Sequence, residues 1–159
     1  MASPEIFCGN VLDDKRDTRV RNQHWQHFPH DADVGIRGFG DTREQAFEQA
    51  AMALTAAITD PETISDAEAI HVSCEAPDDE LLLVDWLNSI VYEMATRKML
   101  FRRFQVSIEN QRLKGTAWGE PIDVEKHQPA VEVKGATQTH LRVHQRPNAT
   151  WVAECVIDV

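Results

Sequence analysis

The densest run of chemically able side chains is His24-Trp-Gln-His27-Phe-Pro-His30-Asp31-Ala-Asp33-Val-Gly35. Three histidines at intervals of three, followed by two carboxylates, offer both the nitrogen and the oxygen donors a transition metal takes. The histidines converge only on a helix, and Pro29 opposes helical geometry in the last part of the run. Otherwise His24 and His27 are solvent-exposed side chains near a chain start, and His30, beside the acidic pair, is the better candidate. Asp31 and Asp33, two apart on a segment entering a strand, point to one side of the backbone. Two carboxylates so placed, with no basic residue between them, are costly unless a cation or a proton offsets them. Hard cations such as Ca²⁺ or Mg²⁺ suit oxygen ligands of this kind. The plainer alternative is a solvated aspartate pair beside a glycine turn.

The second candidate lies at the other end, in Trp151-Val-Ala-Glu154-Cys-Val-Ile-Asp158-Val159. Alternation puts Trp151, Ala153, Cys155 and Ile157 on one face of a strand, and Val152, Glu154, Val156 and Asp158 on the other. Termini fray unless a sheet ties them down, so the apolar run predicts a docked end that holds the Asp158 side chain and the Val159 carboxylate in place. The alternative is an ordinary edge strand with a solvated terminus. Other chemistries find no support. Gly35-Ile-Arg-Gly38-Phe-Gly40 lacks dinucleotide-loop spacing, and neither a phosphate-binding GxxxxGK[ST] loop nor a GxSxG nucleophile elbow is present. Asp78-Asp79-Glu80 reads as the acidic start of a helix. Lys98, Arg102, Arg103, Arg112 and Lys114, interleaved with Phe101 and Phe104, could contact phosphates or simply form a solvated strand face.

These residues need positioning elements. Val34-Gly-Ile-Arg-Gly-Phe39 alternates as a strand. Asp41, with Glu44 three residues on, predicts a capping box. Ala46, Phe47, Ala50, Ala51, Leu54, Ala57 and Ile58 then give one helical face, ended by Thr59-Asp60-Pro61. A strand follows over residues 69–74. A second helix opens at Pro77-Asp-Asp79, with Leu81, Leu82, Val84, Leu87, Ile90, Val91, Met94 and Ala95 as its apolar face. Residues 100–109 and 112–118 read as adjacent strands turned at Asn110-Gln111, and 119–129 as a loop or short helix. Strands are expected over 131–134, 139–144 and 151–159. The pattern predicts one α+β domain, a largely antiparallel sheet with two main helices packed on it. That domain covers residues 24–159, behind a polar N-terminal extension over residues 1–23 that is expected to be flexible.

Composition narrows the function classes. The 159 residues carry 16 Lys+Arg against 26 Asp+Glu, a formal net charge of -10. That balance opposes autonomous nucleic-acid binding, which needs basic patches to displace counterions. No run approaches the ~18 apolar residues of a membrane span. Cys8, Cys74 and Cys155 are too few and too scattered for a disulfide framework or a CxxC zinc site. The N-terminus has no signal-peptide pattern, so a reducing cytoplasm is the expected location.

Several blocks in order resemble one family. His30-Asp-Ala-Asp33-Val-Gly-Ile36 and Gly40-Asp-Thr-Arg-Glu44-Gln-Ala-Phe47-Glu-Gln-Ala-Ala51 resemble the opening of the archease proteins. Leu81-Leu-Leu-Val-Asp-Trp86-Leu-Asn88, Leu113-Lys-Gly-Thr-Ala-Trp118-Gly-Glu120, Val131-Glu-Val-Lys134-Gly-Ala-Thr137 and Val156-Ile-Asp158-Val159 are similar to its later blocks, and together they span residues 27–159. The resemblance implies an archease-type α+β fold. It also implies a role as an accessory protein, or chaperone, of the RtcB-type RNA ligase, which joins RNA ends in tRNA splicing and RNA repair using GTP, Mn²⁺ and a guanylylated histidine. By the same resemblance the chain is expected to promote that guanylylation and repeated turnover without being the ligase itself, and to meet RNA only through the ligase. The resemblance further implies a divalent-metal site, often Ca²⁺, with Mg²⁺ or Mn²⁺ as alternatives. By position its ligands are Asp33, Asp158 and the terminal carboxylate of Val159, with His30, Asp31 and Lys134 as neighbours.

The family's usual opening is Asp-His-Thr-Ala-Asp, whereas this chain has Pro29-His30-Asp31-Ala32-Asp33. The first aspartate is lost and another stands in the threonine position. After Thr137 the family's Tyr-His pair is replaced by Gln138-Thr139, with His140 one position on. Two rival readings use the same residues: a small metal-dependent hydrolase built on these carboxylates, and a direct RNA binder acting through Arg102, Arg103, Arg112 and Lys114.

Overall fold

The structure is a computed structural model that describes residues 23–159. The expected polar extension therefore lies, Gln23 apart, outside the described residues, as does Cys8. The element order is β1 (His24–His30), β2 (Asp33–Gly40), α1 (Arg43–Ile58), β3 (Glu68–Glu75), α2 (Asp79–Arg97), β4 (Met99–Glu109), β5 (Arg112–Pro121), α3 (Val124–His127), β6 (Gly135–Ala136), β7 (Arg142–Gln145) and β8 (Trp151–Asp158). Every strand pairing is antiparallel. The strands divide between two sheets, one running β1-β2-β8-β6 with β7 also on β8, the other β3-β5-β4. The α+β class is as expected, with two sheets in place of one among the described residues.

Local chemistry explains the boundaries. α1 is capped by Thr42, whose side chain accepts the Gln45 N–H at 3.1 Å, while Gln45 Oε1 accepts the Asp41 N–H at 2.7 Å. The cap thus sits one residue later than Asp41 and Glu44 would set it, and Gln45 reaches back to the residue before the cap. α1 ends at Thr59, two residues before Pro61. α2 starts on the Asp78 side chain, which accepts the Leu81 N–H at 2.8 Å. Asn110 and Gln111 both take positive φ, 53° and 59°, as the tight turn between β4 and β5 demands. The expected strand over 131–134 is absent, and pairing with β8 begins at Gly135, opposite Asp158. In that register residues 131–133 lie past the last rung of β8 and have nothing to pair with.

The core lies between the sheets and the two long helices. α1 packs on β1, β2 and β8 of one sheet and β4 of the other, and α2 lies along β3, β4, β5, β6 and β7. Gly38 lets β2 approach α1 closely: a Cβ there would collide with the Ala46 carbonyl and the Ala50 amide of the helix backbone. Leu83 and Trp86 are fully buried on α2, which makes its inward face broader than the apolar spacing suggests. The Trp86 indole N–H donates to the Phe47 carbonyl at 3.0 Å, satisfying its polar atom inside the core and tying the helices together. No described helix is long and apolar enough to cross a membrane.

Candidate metal centre

β1 and β2 form a hairpin in which His30 pairs with Asp33 across Asp31 and Ala32. Asp31 has φ 51°, a left-handed conformation that aspartate tolerates better than most residues. It is therefore an exposed turn residue, and its carboxylate does not share a strand face with Asp33. The spacing-two argument for a one-sided pair does not apply.

Asp33 finds its partner elsewhere. β2 runs antiparallel to β8 with Val34 opposite Ile157, so the next rung sets Asp33 against Asp158. Ile157 points into the core with no exposure, and strand alternation turns Asp158 outward. The Val159 N–H donates to Asp33 Oδ1 at 3.3 Å across 126 positions of sequence. The Val159 side chain packs against the core, which docks the end of the chain as expected. On the far side of β8 the Lys134 N–H donates to the Asp158 carbonyl at 2.7 Å. Asp33, Asp158, Val159 and the Lys134 backbone thus meet at one end of the five-stranded sheet. Asp33 and Val159 are half-buried, and Asp158 and Lys134 are exposed. Among the described residues no basic side chain forms an ion pair with either aspartate.

The histidines separate. Strand alternation sends His27 inward, where Nε2–H donates to the Ala53 carbonyl at 2.8 Å and burial holds the ring below its ordinary pKa. His24 stacks on Phe39 at 4.3 Å between ring centroids. The expected exposure of these two is replaced by half-burial. His30 lies at the site end, its ring 5.3 Å from that of His140, which also meets the Phe28 edge at 5.8 Å. His30 Nδ1 is buried without a hydrogen-bond partner. The fold brings His140, which stands one position beyond the place of the family's Tyr-His pair, to this end of the sheet. Among the described residues no three His, Cys, Asp or Glu side chains converge into a metal cage. A cation here has two side-chain carboxylates, and further oxygens must come from the main chain.

The basic residues do not make an uncompensated patch. Arg103 stacks 3.7 Å above the Trp118 ring and pairs with Asp66 at 3.2 Å. Arg112 pairs with Glu75 at 3.3 Å. Arg102 is half-buried, its Nη1 donating to the Ile64 carbonyl at 3.5 Å. Lys114 stands exposed opposite Ser73 and Ser107.

Comparison with known proteins bears on this geometry. A family model described as "Archease protein family (MTH1598/TM1083)" matches residues 25–159. The chain is 38% identical over 141 residues to the protein archease of Pyrococcus furiosus, covering 86% of this chain and 99% of the relative. It is 34% identical over 139 residues to that of Sulfurisphaera tokodaii, at 86% and 99% coverage. It is also similar to the solution structure of Methanobacterium thermoautotrophicum protein 1598, with 29% identity and a TM-score of 0.73 over 85% of this chain and 98% of that one. The matches take in both strands that meet at the carboxylate pair, and the chain belongs to the archease protein family.

Proposed function

We propose that this chain is a non-catalytic accessory protein of an RtcB-type RNA ligase, and that Asp33, Asp158 and Val159 hold a divalent cation on the surface that engages the ligase. The observation that carries this reading is the β2–β8 register, which brings two carboxylates from distant parts of an archease-family chain to facing positions. Like charges directly opposite on a sheet repel. With no basic side chain paired to either among the described residues, a cation is the natural offset. Asp33 and Asp158 supply side-chain oxygens and Val159 its carboxylate, a hard-donor set that suits Ca²⁺, Mg²⁺ or Mn²⁺. When bound, such an ion supplies a fixed positive charge for a carboxylate or phosphate of the partner.

The protein's own groups do the rest. The Val159 N–H orients Asp33, and the Lys134 N–H holds the carbonyl of Asp158. His30, Asp31 and Lys134 border the site and are placed to meet the partner. This rigid tip, presented near the ligase's guanylylation centre, lowers the barrier to re-guanylylation after each turnover. The ligase, not this chain, holds the RNA during tRNA splicing and repair, so an overall charge of -10 is no obstacle. The setting is the cytoplasm.

A multiple-turnover ligation assay with a cognate ligase tests the reading. Asp33→Ala and Asp158→Ala are expected to lose most of the stimulation while single-turnover joining by guanylylated ligase is unchanged. Stimulation equal to the parent's by both variants refutes it.

A further inference from the structure

Asn88 lies on α2 among the buried apolar residues Leu83, Trp86, Leu87 and Ile90. Its side chain turns toward β6. Asn88 Oδ1 accepts the Ala136 N–H at 2.8 Å, and Nδ2 donates to the Ala136 carbonyl at 3.4 Å. The orientation of the amide follows from the contact, since a backbone N–H needs the oxygen. Antiparallel pairing uses the backbone groups of alternate residues. Beside β8, Thr137 donates its N–H to the Val156 carbonyl. The N–H and C=O of neighbouring Ala136 therefore point the other way, where Asn88 meets both as an additional strand would.

β6 is two residues long, too short to hold itself on a sheet edge. Downstream it is tied by Thr137, whose Oγ1 also donates to the Val156 carbonyl at 2.7 Å. Upstream are Gly135, opposite Asp158, and Lys134, whose N–H holds the Asp158 carbonyl. On the side away from β8, Asn88 is the group that grips this stretch among the described residues. It also crowds Gly135, because a Cβ there would come within 3.1 Å of Asn88 Oδ1.

We infer that Asn88 is a positioning residue of the cation site: by gripping both backbone groups of Ala136 it fixes the β6 wall against which Asp158 is held. The inference rests on the cation-binding reading above. Loss of a hydrogen-bond partner of a ligating group typically weakens metal binding by about 10–100-fold, and Asn88, which acts one step further back through Ala136, belongs at the low end of that range.

The test compares the full-length parent with Asn88→Leu, which removes both hydrogen bonds, and Asn88→Asp, which keeps the acceptor for the Ala136 N–H. Amide hydrogen exchange without metal is read over residues 134–136 and 157–159, and Mn²⁺ affinity by calorimetric titration. Asn88→Leu is expected to speed exchange at Ala136 and to weaken Mn²⁺ binding by about tenfold, with Asn88→Asp falling between it and the parent. Faster exchange with Mn²⁺ affinity within about twofold of the parent's overturns the inference while leaving the cation reading intact. If Asn88→Leu does not fold, the same comparison on Asn88→Asp decides. A flat titration of the parent overturns the cation reading and this inference together.

Discussion

Replacing Glu48 with glutamine is expected to stabilise the protein at neutral pH and to do nothing for it in acid. Glu48 projects from α1 toward β4, half-buried, and its Oε2 accepts the Val106 N–H at 2.9 Å. Burial is the main influence on its carboxyl group and favours the neutral form. The Val106 hydrogen bond opposes that, and the charge of Glu44 one turn back adds to it, leaving the pKa at about 6 against an ordinary 4.5. The difference, about 1.5 pH units, corresponds to about 2 kcal/mol at ~1.36 kcal/mol per unit. Partial exposure screens the charge and reduces this to about 1 kcal/mol. Because the folded pKa is raised, the contribution of the protonated carboxyl is fully present below pH 4.5 and is lost as pH rises through 6. Glutamine keeps an oxygen for the Val106 N–H and never ionises. Thermal unfolding followed by circular dichroism should show Glu48→Gln melting about 2–4 °C above the parent at pH 7.5, with the curves converging at pH 4.5. An equal gain at both pH values, or no gain at pH 7.5, refutes the argument from buried charge.

Glu120 runs the opposite way. Its Oε2 accepts from Lys126 Nζ at 2.7 Å, the Ser65 N–H at 2.9 Å and His127 Nε2 at 2.8 Å. The bond from Lys126 leads in drawing its pKa down to about 2. The stability it contributes is present above pH 4.5 and lost as pH falls through about 2, so Glu120→Gln should lower the melting temperature at pH 7 and leave unfolding at pH 2 unchanged. Asp31 should prove to be a turn residue rather than a ligand: Asp31→Gly, which accepts positive φ at no steric cost, is expected to keep Mn²⁺ affinity within about twofold of the parent by calorimetry.

Much of the fold is written locally. Pro61 stops α1, Asn110-Gln111 turns β4 into β5, and the apolar run of β8 docks against the core, each because a short-range rule acts without competition. Where tertiary context decides, the sequence is silent. β1 shows no readable period because its inward residues include His27 and its outward ones Phe28, so polarity does not follow face. Leu83 and Trp86 of α2 are buried because two sheets and the β6–β7 edge crowd that helix, which helical spacing alone does not reveal. For the site, both Asp33 and Asp158 stand out as residues, but their meeting depends on the pairing of β2 with β8, which no local pattern carries. The family resemblance brought them together on paper, and the register does so in space. Asn88 stands in the sequence as the last residue of a family-like block on an apolar helix, but its contact is not legible there, since its partner is the backbone of Ala136.

The bond from Val159 to Asp33 closes a loop of almost the whole domain. Closing a contact of such long span costs chain entropy. The carboxylate pair is therefore assembled only in a molecule whose β8 is docked beside β2. A copy with a misplaced β8 presents two scattered acids instead of a site. Any partner that reads this end of the sheet is, in the same act, reading whether the two ends of the domain have met.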